Sequence, residues 1–126
     1  MPAVVLDMPH VWTAWSHRIM VLADEIVITA EPDLANLRNA KNFVDLLRSM
    51  RPNDKPPRLI INQMGMPKRP EIKVADFTKA IGLEPIAIIP FDPALFGAAA
   101  NNGQMIAEMD TNNKLNEMFF DVAKVL

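Results

Sequence analysis

Asp7 closes the apolar run Ala3-Val4-Val5-Leu6 and is followed, two residues on, by Pro9. A carboxylate at the C-terminal tip of a buried parallel strand is the group that phosphoryl-transfer sites use to orient Mg²⁺ or its bound water. Such a site also needs a phosphate loop of the form G-x-x-x-x-G-K-[ST], whose backbone N–H groups wrap the phosphates. That pattern occurs nowhere in the 126 residues, and the four glycines are not clustered. The run therefore reads as belonging to the back half of a nucleotide-binding domain. Asp7 would stand as a metal-associated acid, yet without phosphates it has little to coordinate, because Mg²⁺ is held largely through substrate oxygens. The competing reading is a surface carboxylate capping the next turn.

Other residue types are weaker signals. Asn62 and Asp92 also stand at the ends of apolar runs, Leu59-Ile60-Ile61 and Pro85-Ile86-Ala87-Ile88-Ile89-Pro90. If those runs are parallel strands, both residues lie on the edge where ligands of open α/β sheets bind. An asparagine in that place also commonly serves only as a turn former that bonds its own backbone. His10 and His17 are seven apart, about 10 Å along a helix and too far for one metal ion. Trp12 and Trp15, at i and i+3, are neighbours on a helix; core packing is the default, and an exposed partner-binding patch is the alternative. The nine methionines read as fillers of core gaps. Lys68, Arg69 and Lys73 form a small basic stretch that reads as solvated, and no Ser/His/Asp arrangement stands out.

The elements that must position these residues alternate along the chain. Ala3–Asp7 reads as a strand buried on both faces. His10–Leu22 follows as a short helix starting at Thr13 or the turn before it, then Ile26–Ala30 as a β-branched strand. Asp33 can cap a helix over Leu34–Met50, with Leu34, Leu37, Val44, Leu47 and Met50 on one stripe. A loop with three prolines spans Arg51–Arg58, and Leu59–Gln63 is the next strand. Met64–Pro70 reads as a mobile surface loop, Val74–Ile81 as a helix ended by Gly82, and Pro85–Pro90 as the fourth strand. Helices over Ala94–Asn101 and about Asn112–Leu126 close the chain, the last presenting Leu115, Met118, Phe119, Val122 and Leu126. Alternating strands and helices imply an α/β fold, with a mostly parallel sheet of about four strands and helices on both faces.

Composition narrows the function classes. A hydrophobic content of 50% and a charged content of 22% are those of a globular domain. A net charge of −2 gives no electrostatic basis for nucleic acid as a partner. The absence of cysteine removes disulfides and thiolate metal sites and fits a reducing cytoplasm. No stretch approaches the ~20 apolar residues of a membrane span, and no secretory signal is visible.

Six blocks occur in an order that resembles MinD/ParA-type ATPases: Val4–Pro9, Ala23–Val27, Glu31–Arg38, Ile60–Gln63, Ile89–Pro93 and Ala99–Gly103. Within that superfamily the sequence is most similar to the CpaE/TadZ pilus-assembly proteins. That likeness rests on the Asp-x-Pro at Asp7–Pro9, on Trp12-Thr13-Ala14-Trp15 and on Phe91–Glu108. The resemblance implies a partial P-loop NTPase fold, with residues 1–126 as the C-terminal part that lacks the P-loop half. It implies that Asp7 is the Walker B acid near Mg²⁺, that the Asn62 carboxamide bonds the adenine edge through its donor and acceptor, and that Pro90 and Asp92 line the opposite wall of the base pocket.

One departure stands out: His10-Val11-Trp12 occupies the place where MinD-like proteins usually carry a glycine in a γ-phosphate-sensing loop. The implied role is a localisation and assembly factor for Flp/Tad (type IV) pili, cytoplasmic and peripheral at the cell pole or inner membrane. ATP and Mg²⁺ belong to the intact parent, and neither is expected on this chain, which is not an enzyme alone. The implied partners are pilus-assembly proteins and a second copy, joined through an exposed, unpaired first strand. The alternative is a stand-alone α/β protein-interaction module without a nucleotide role. A receiver-like domain fits poorly, because Pro90-Phe91-Asp92 brings no lysine to the end of the fourth strand.

Overall fold

The computed structural model describes residues 3–126. Three parallel strands, β1 (Val27–Ala30), β2 (Arg58–Met64) and β3 (Pro85–Pro90), form one sheet in the order β1-β2-β3. Helices α1 (Ala14–Leu22) and α2 (Leu34–Met50) flank β1 in sequence, and α3 (Val74–Ile81) joins β2 to β3. After β3 come α4 (Pro93–Asn102), a single turn α5 (Ile106–Met109) and α6 (Lys114–Val125). The fold is α/β, as expected, with three strands among the described residues where about four were anticipated.

The missing strand is the first. Ala3–Asp7 has no strand partner among the described residues; Val4 is 85% and Val5 92% exposed. A strand exists only where its N–H and C=O groups find a ladder. β1, the edge strand nearest in sequence, pairs on one side with β2 and with no described residue on the other. The segment is an apolar arm, and the expectation of a strand buried on both faces is corrected.

Helices cover both faces of the sheet, and the pleat sorts the residues between them. On one face, Ile28, Ala30, Leu59 and Ile61 pack with Ala40, Val44 and Leu47 of α2 and with Phe77 and Ile81 of α3. On the other, Ile89 and the half-buried Ile60 meet Ala99, Ile106 and Leu115 of α4, α5 and α6. The alternate β1 residues, Val27 and Thr29, are exposed. Leu34, placed on the buried stripe of α2 by spacing, is 55% exposed, while Ala40, Val44 and Leu47 further along the helix are buried. Leu126, expected on the apolar face of the last helix, is 50% exposed at the chain end.

Helix ends follow local chemistry. Thr13 and Ser16 form a capping box at α1, each side chain accepting the other's backbone N–H, at 3.1 and 2.8 Å. Gly82 takes the left-handed conformation that stops α3, with φ of 76°. Asp33 caps α2, accepting the Asn36 backbone N–H at 2.8 Å and both carboxylate oxygens meeting the Asn36 amide at 3.0 Å. Those bonds, the backbone one foremost, hold the Asp33 carboxyl below its ordinary pKa. Replacing Asp33 with Ala is expected to lower stability by about 0.5–2 kcal/mol in urea unfolding. Since the folded pKa is lowered, the cap's contribution is complete above the ordinary carboxylate range and fades as pH falls through the lowered value.

Two other expectations change. Trp12 is 49% and Trp15 60% exposed, so neither is a core residue. Trp12 lies against the rim, tilted over His17 at 5.4 Å and edge-on to Phe43 of α2 at 6.1 Å between ring centroids. The basic segment at 64–70 is not a loose loop: Arg69, largely buried, ties it to Glu31 and Glu71 at 2.9 and 2.7 Å.

Candidate functional site

The C-terminal edge of the sheet gathers three of the four sequence-predicted site residues. β2 and β3 are neighbours, and Met64 is paired with Pro90 at their tips. Pro90 has no N–H to donate, so the ladder continues at the next residue, where the Phe91 N–H donates to the Met64 carbonyl at 2.8 Å. Asn62, Pro90 and Asp92 therefore stand on adjacent strand ends. Between the pairs Ile61–Ile88 and Met64–Pro90, β2 advances three residues while β3 advances two. The extra residue makes a bulge, with Gln63 in the left-handed region at φ of 55°.

The Asn62 and Asp92 side chains each already have a local bond. The Asn62 Oδ1 accepts the Gln63 N–H at 2.9 Å, which is the turn-forming role open to an asparagine there. That leaves the amide's N–H donors and a second lone pair on Oδ1 for a ligand. Asp92 accepts the Leu95 N–H at 3.1 Å and caps α4, with Pro93 in the first helical position. Its carboxylate thus positions the helix that follows β3, a role not expected of it from the sequence.

Asp7 is not part of this assembly: it lies on the exposed arm, outside the sheet. Among the described residues no group of three or more His, Cys, Asp or Glu side chains could hold a metal ion. By itself a lone exposed carboxylate offers a cation too few ligands, since Mg²⁺ is held largely through substrate oxygens. His10 and His17 are exposed, with no Cys to join them.

A charged knot beside the site was not among the residues expected to matter. Arg69, Glu31 and Glu71 meet at the ends of β1 and β2, although Arg69 and Glu31 are 38 residues apart. The Arg69 guanidinium, and then the Gly65 N–H, hold the Glu71 carboxyl below its ordinary pKa. Only the strand order brings Glu31 to the Arg69–Glu71 pair, so no spacing in the chain announces the three together.

Two cavities lie elsewhere. An apolar groove of about 650 Å³ runs between α4, α5 and α6, lined by Phe96, Met105, Ile106, Phe119 and Phe120 among others. A cleft of about 300 Å³ with a mixed charged and apolar lining sits at the opposite edge of the sheet, bordered by Asp24, Glu25, Leu47, Arg51 and Pro56. Asn62, Pro90 and Asp92 line neither. No helix among the described residues is long and apolar enough to cross a membrane.

The fold has counterparts among solved structures. A chain of the MinC:MinD cell division protein complex of Aquifex aeolicus superposes with a TM-score of 0.66 and 28% identity, over 81% of this chain and 42% of that one. MinD of Aquifex aeolicus gives 0.65 and 28%, over 81% and 43%. A ParA family ATPase from Chlorobium tepidum TLS gives 0.67 and 24%, over 82% and 42%. No protein-family profile and no curated protein matches the sequence. The chain therefore has a partial MinD/ParA-like P-loop NTPase fold, and the likeness supports a place in that superfamily. It spans less than half the length of these relatives.

Proposed function

We propose that the chain is the C-terminal portion of a MinD/ParA-like ATPase domain of the CpaE/TadZ type, a localisation and assembly factor for Flp/Tad pili that is not catalytically competent by itself. The observation that carries the nucleotide part of this reading is the meeting of Asn62 with Pro90 and Asp92 on adjacent strand tips. At that edge a carboxamide can donate to one nitrogen of adenine and accept from its amino group. The pilus part is supported by Trp12-Thr13-Ala14-Trp15 and by Phe91–Glu108. ATP and Mg²⁺ would act in the intact parent, where Asp7 would serve as the Walker B acid; its station would be cytoplasmic, peripheral at the cell pole or inner membrane.

Catalysis is not expected of these residues alone. Phosphoryl transfer depends on positioning and neutralising the phosphates, and the sequence holds no phosphate loop. Isothermal titration with Mg-ATP is expected to show affinity weaker than micromolar and no turnover. Micromolar binding or measurable hydrolysis by this chain would refute that.

Partners are expected to be proteins. One structural neighbour is a MinD chain in complex with MinC, and this chain carries an unpaired apolar arm and an open β1 edge. The arm of one copy would pair with a second copy, since exposed apolar strands recruit another chain. A reading as a stand-alone interaction module is favoured only by the exposed Trp12 and Trp15.

A further inference from the structure

Arg69 ties the tip of β2 and the stretch that follows it to the end of β1. Its Nη1 donates to Glu31, just past β1, at 2.9 Å. Its Nη2 donates to Glu71 at 2.7 Å and also to the Gln63 carbonyl at the tip of β2. Glu71 is held in turn by the Gly65 N–H, at 3.0 and 3.1 Å to its two oxygens. The Ile72 N–H donates to the Pro32 carbonyl at 2.9 Å, so the connection from β2 to α3 is folded back over the ends of β1 and β2.

The consequence falls on one peptide. Gln63 is a left-handed residue without glycine's freedom, a conformation that persists only where its surroundings hold it. Its carbonyl is held by Arg69 and its N–H by the Asn62 side chain. Release of the carbonyl would let Gln63 relax to an ordinary extended conformation, and the bond that orients the Asn62 carboxamide would go with it. We propose that Arg69 is the positioning residue of the base site: by holding the Gln63 carbonyl it fixes the bulge, and through the bulge it presents the Asn62 carboxamide in one orientation. The purpose of the device rests on the nucleotide reading above, whereas the device itself rests on the geometry alone. A guanidinium suits the task because its fork makes several bonds in fixed directions, which a lysine ammonium cannot reproduce.

The test uses ¹⁵N-labelled chain, reading the Asn62 side-chain amide signals, hydrogen exchange at Gln63 and the response to added adenosine. With Arg69→Met, the Asn62 signals are expected to move toward free-amide positions and Gln63 exchange to rise at least about tenfold, while amides of β3 and α6 stay put. Adenosine affinity is expected to fall about tenfold, and Arg69→Lys to restore none of these readouts. Unchanged Asn62 signals and exchange in Arg69→Met would overturn the proposal, as would full restoration by lysine. If Arg69→Met loses its fold, Glu71→Gln carries the same test: the Asn62 signals must shift part of the way, and no shift overturns it. If the unmodified chain gives no adenosine response but Arg69→Met frees Asn62, the positioning device stands and the base-site reading fails.

Discussion

Phe77→Ala is expected to lower the unfolding free energy by about 3–5 kcal/mol, the usual loss when a wholly buried aromatic is truncated. Phe77 is 0% exposed and packs from α3 against a cluster that includes Leu59 and Ile61 of β2, both also fully buried. A chain of this size has roughly 5–15 kcal/mol to lose. The variant should therefore be marginal or unfolded at 37 °C, read as a large drop in the urea midpoint. Phe120→Ala, on a side chain 63% exposed on α6, serves as the control, and a shift within about 0.5 kcal/mol is expected there. Equal losses at the two positions would contradict the arrangement of α3 over the sheet.

Val5→Lys is expected to abolish self-association. Val5 is 92% exposed at the middle of the apolar arm, and a lysine placed there must be desolvated or splayed out if the arm pairs with a second copy. A cost of about 1.4 kcal/mol in each arm weakens a symmetric pair about a hundredfold, since each copy contributes the change. Light scattering over a concentration series would show the unmodified chain associating and Val5→Lys monomeric. A monomeric unmodified chain at high concentration would count against the arm as an interface. The substitution touches no buried residue, so stability after dissociation should be unchanged.

Much of the fold was legible because neighbouring residues announce it. Asp33 before Leu34, Gly82 after Ile81 and Pro93 after Asp92 mark helix ends through bonds made within a few residues. The apolar runs at Leu59–Ile61 and Pro85–Pro90 mark strands that are buried because their neighbours cover them. Ala3–Leu6 carries the same kind of run, yet no ladder reaches it; a strand needs a partner that its own residues cannot encode. Asn62, Pro90 and Asp92 could be assigned to strand tips from sequence, and the register places them side by side. The tie from Arg69 to Glu31 could not be read in advance, because it exists only once β1 and β2 are adjacent; its bonds to Glu71 and to the Gln63 carbonyl are local to the stretch after β2. The tryptophans misled for a related reason: Trp12 lies before the Thr13 cap of α1, so the i, i+3 spacing does not put both on one helix side, and spacing does not say whether another element covers them.

On the proposed reading, the strand-tip edge carrying Asn62, Pro90 and Asp92 would recognise a nucleobase and add little grip on phosphates. Titrating ¹⁵N-labelled chain with adenosine and, separately, with Mg-ATP tests it most directly. The expected result is weak binding with amide shifts confined to residues 62–64 and to Phe91 and Asp92, and an ATP affinity within about threefold of that for adenosine, because the phosphates find no partner. Shifts centred on the groove between α4 and α6, no response to either ligand, or ATP binding much tighter than adenosine would contradict it.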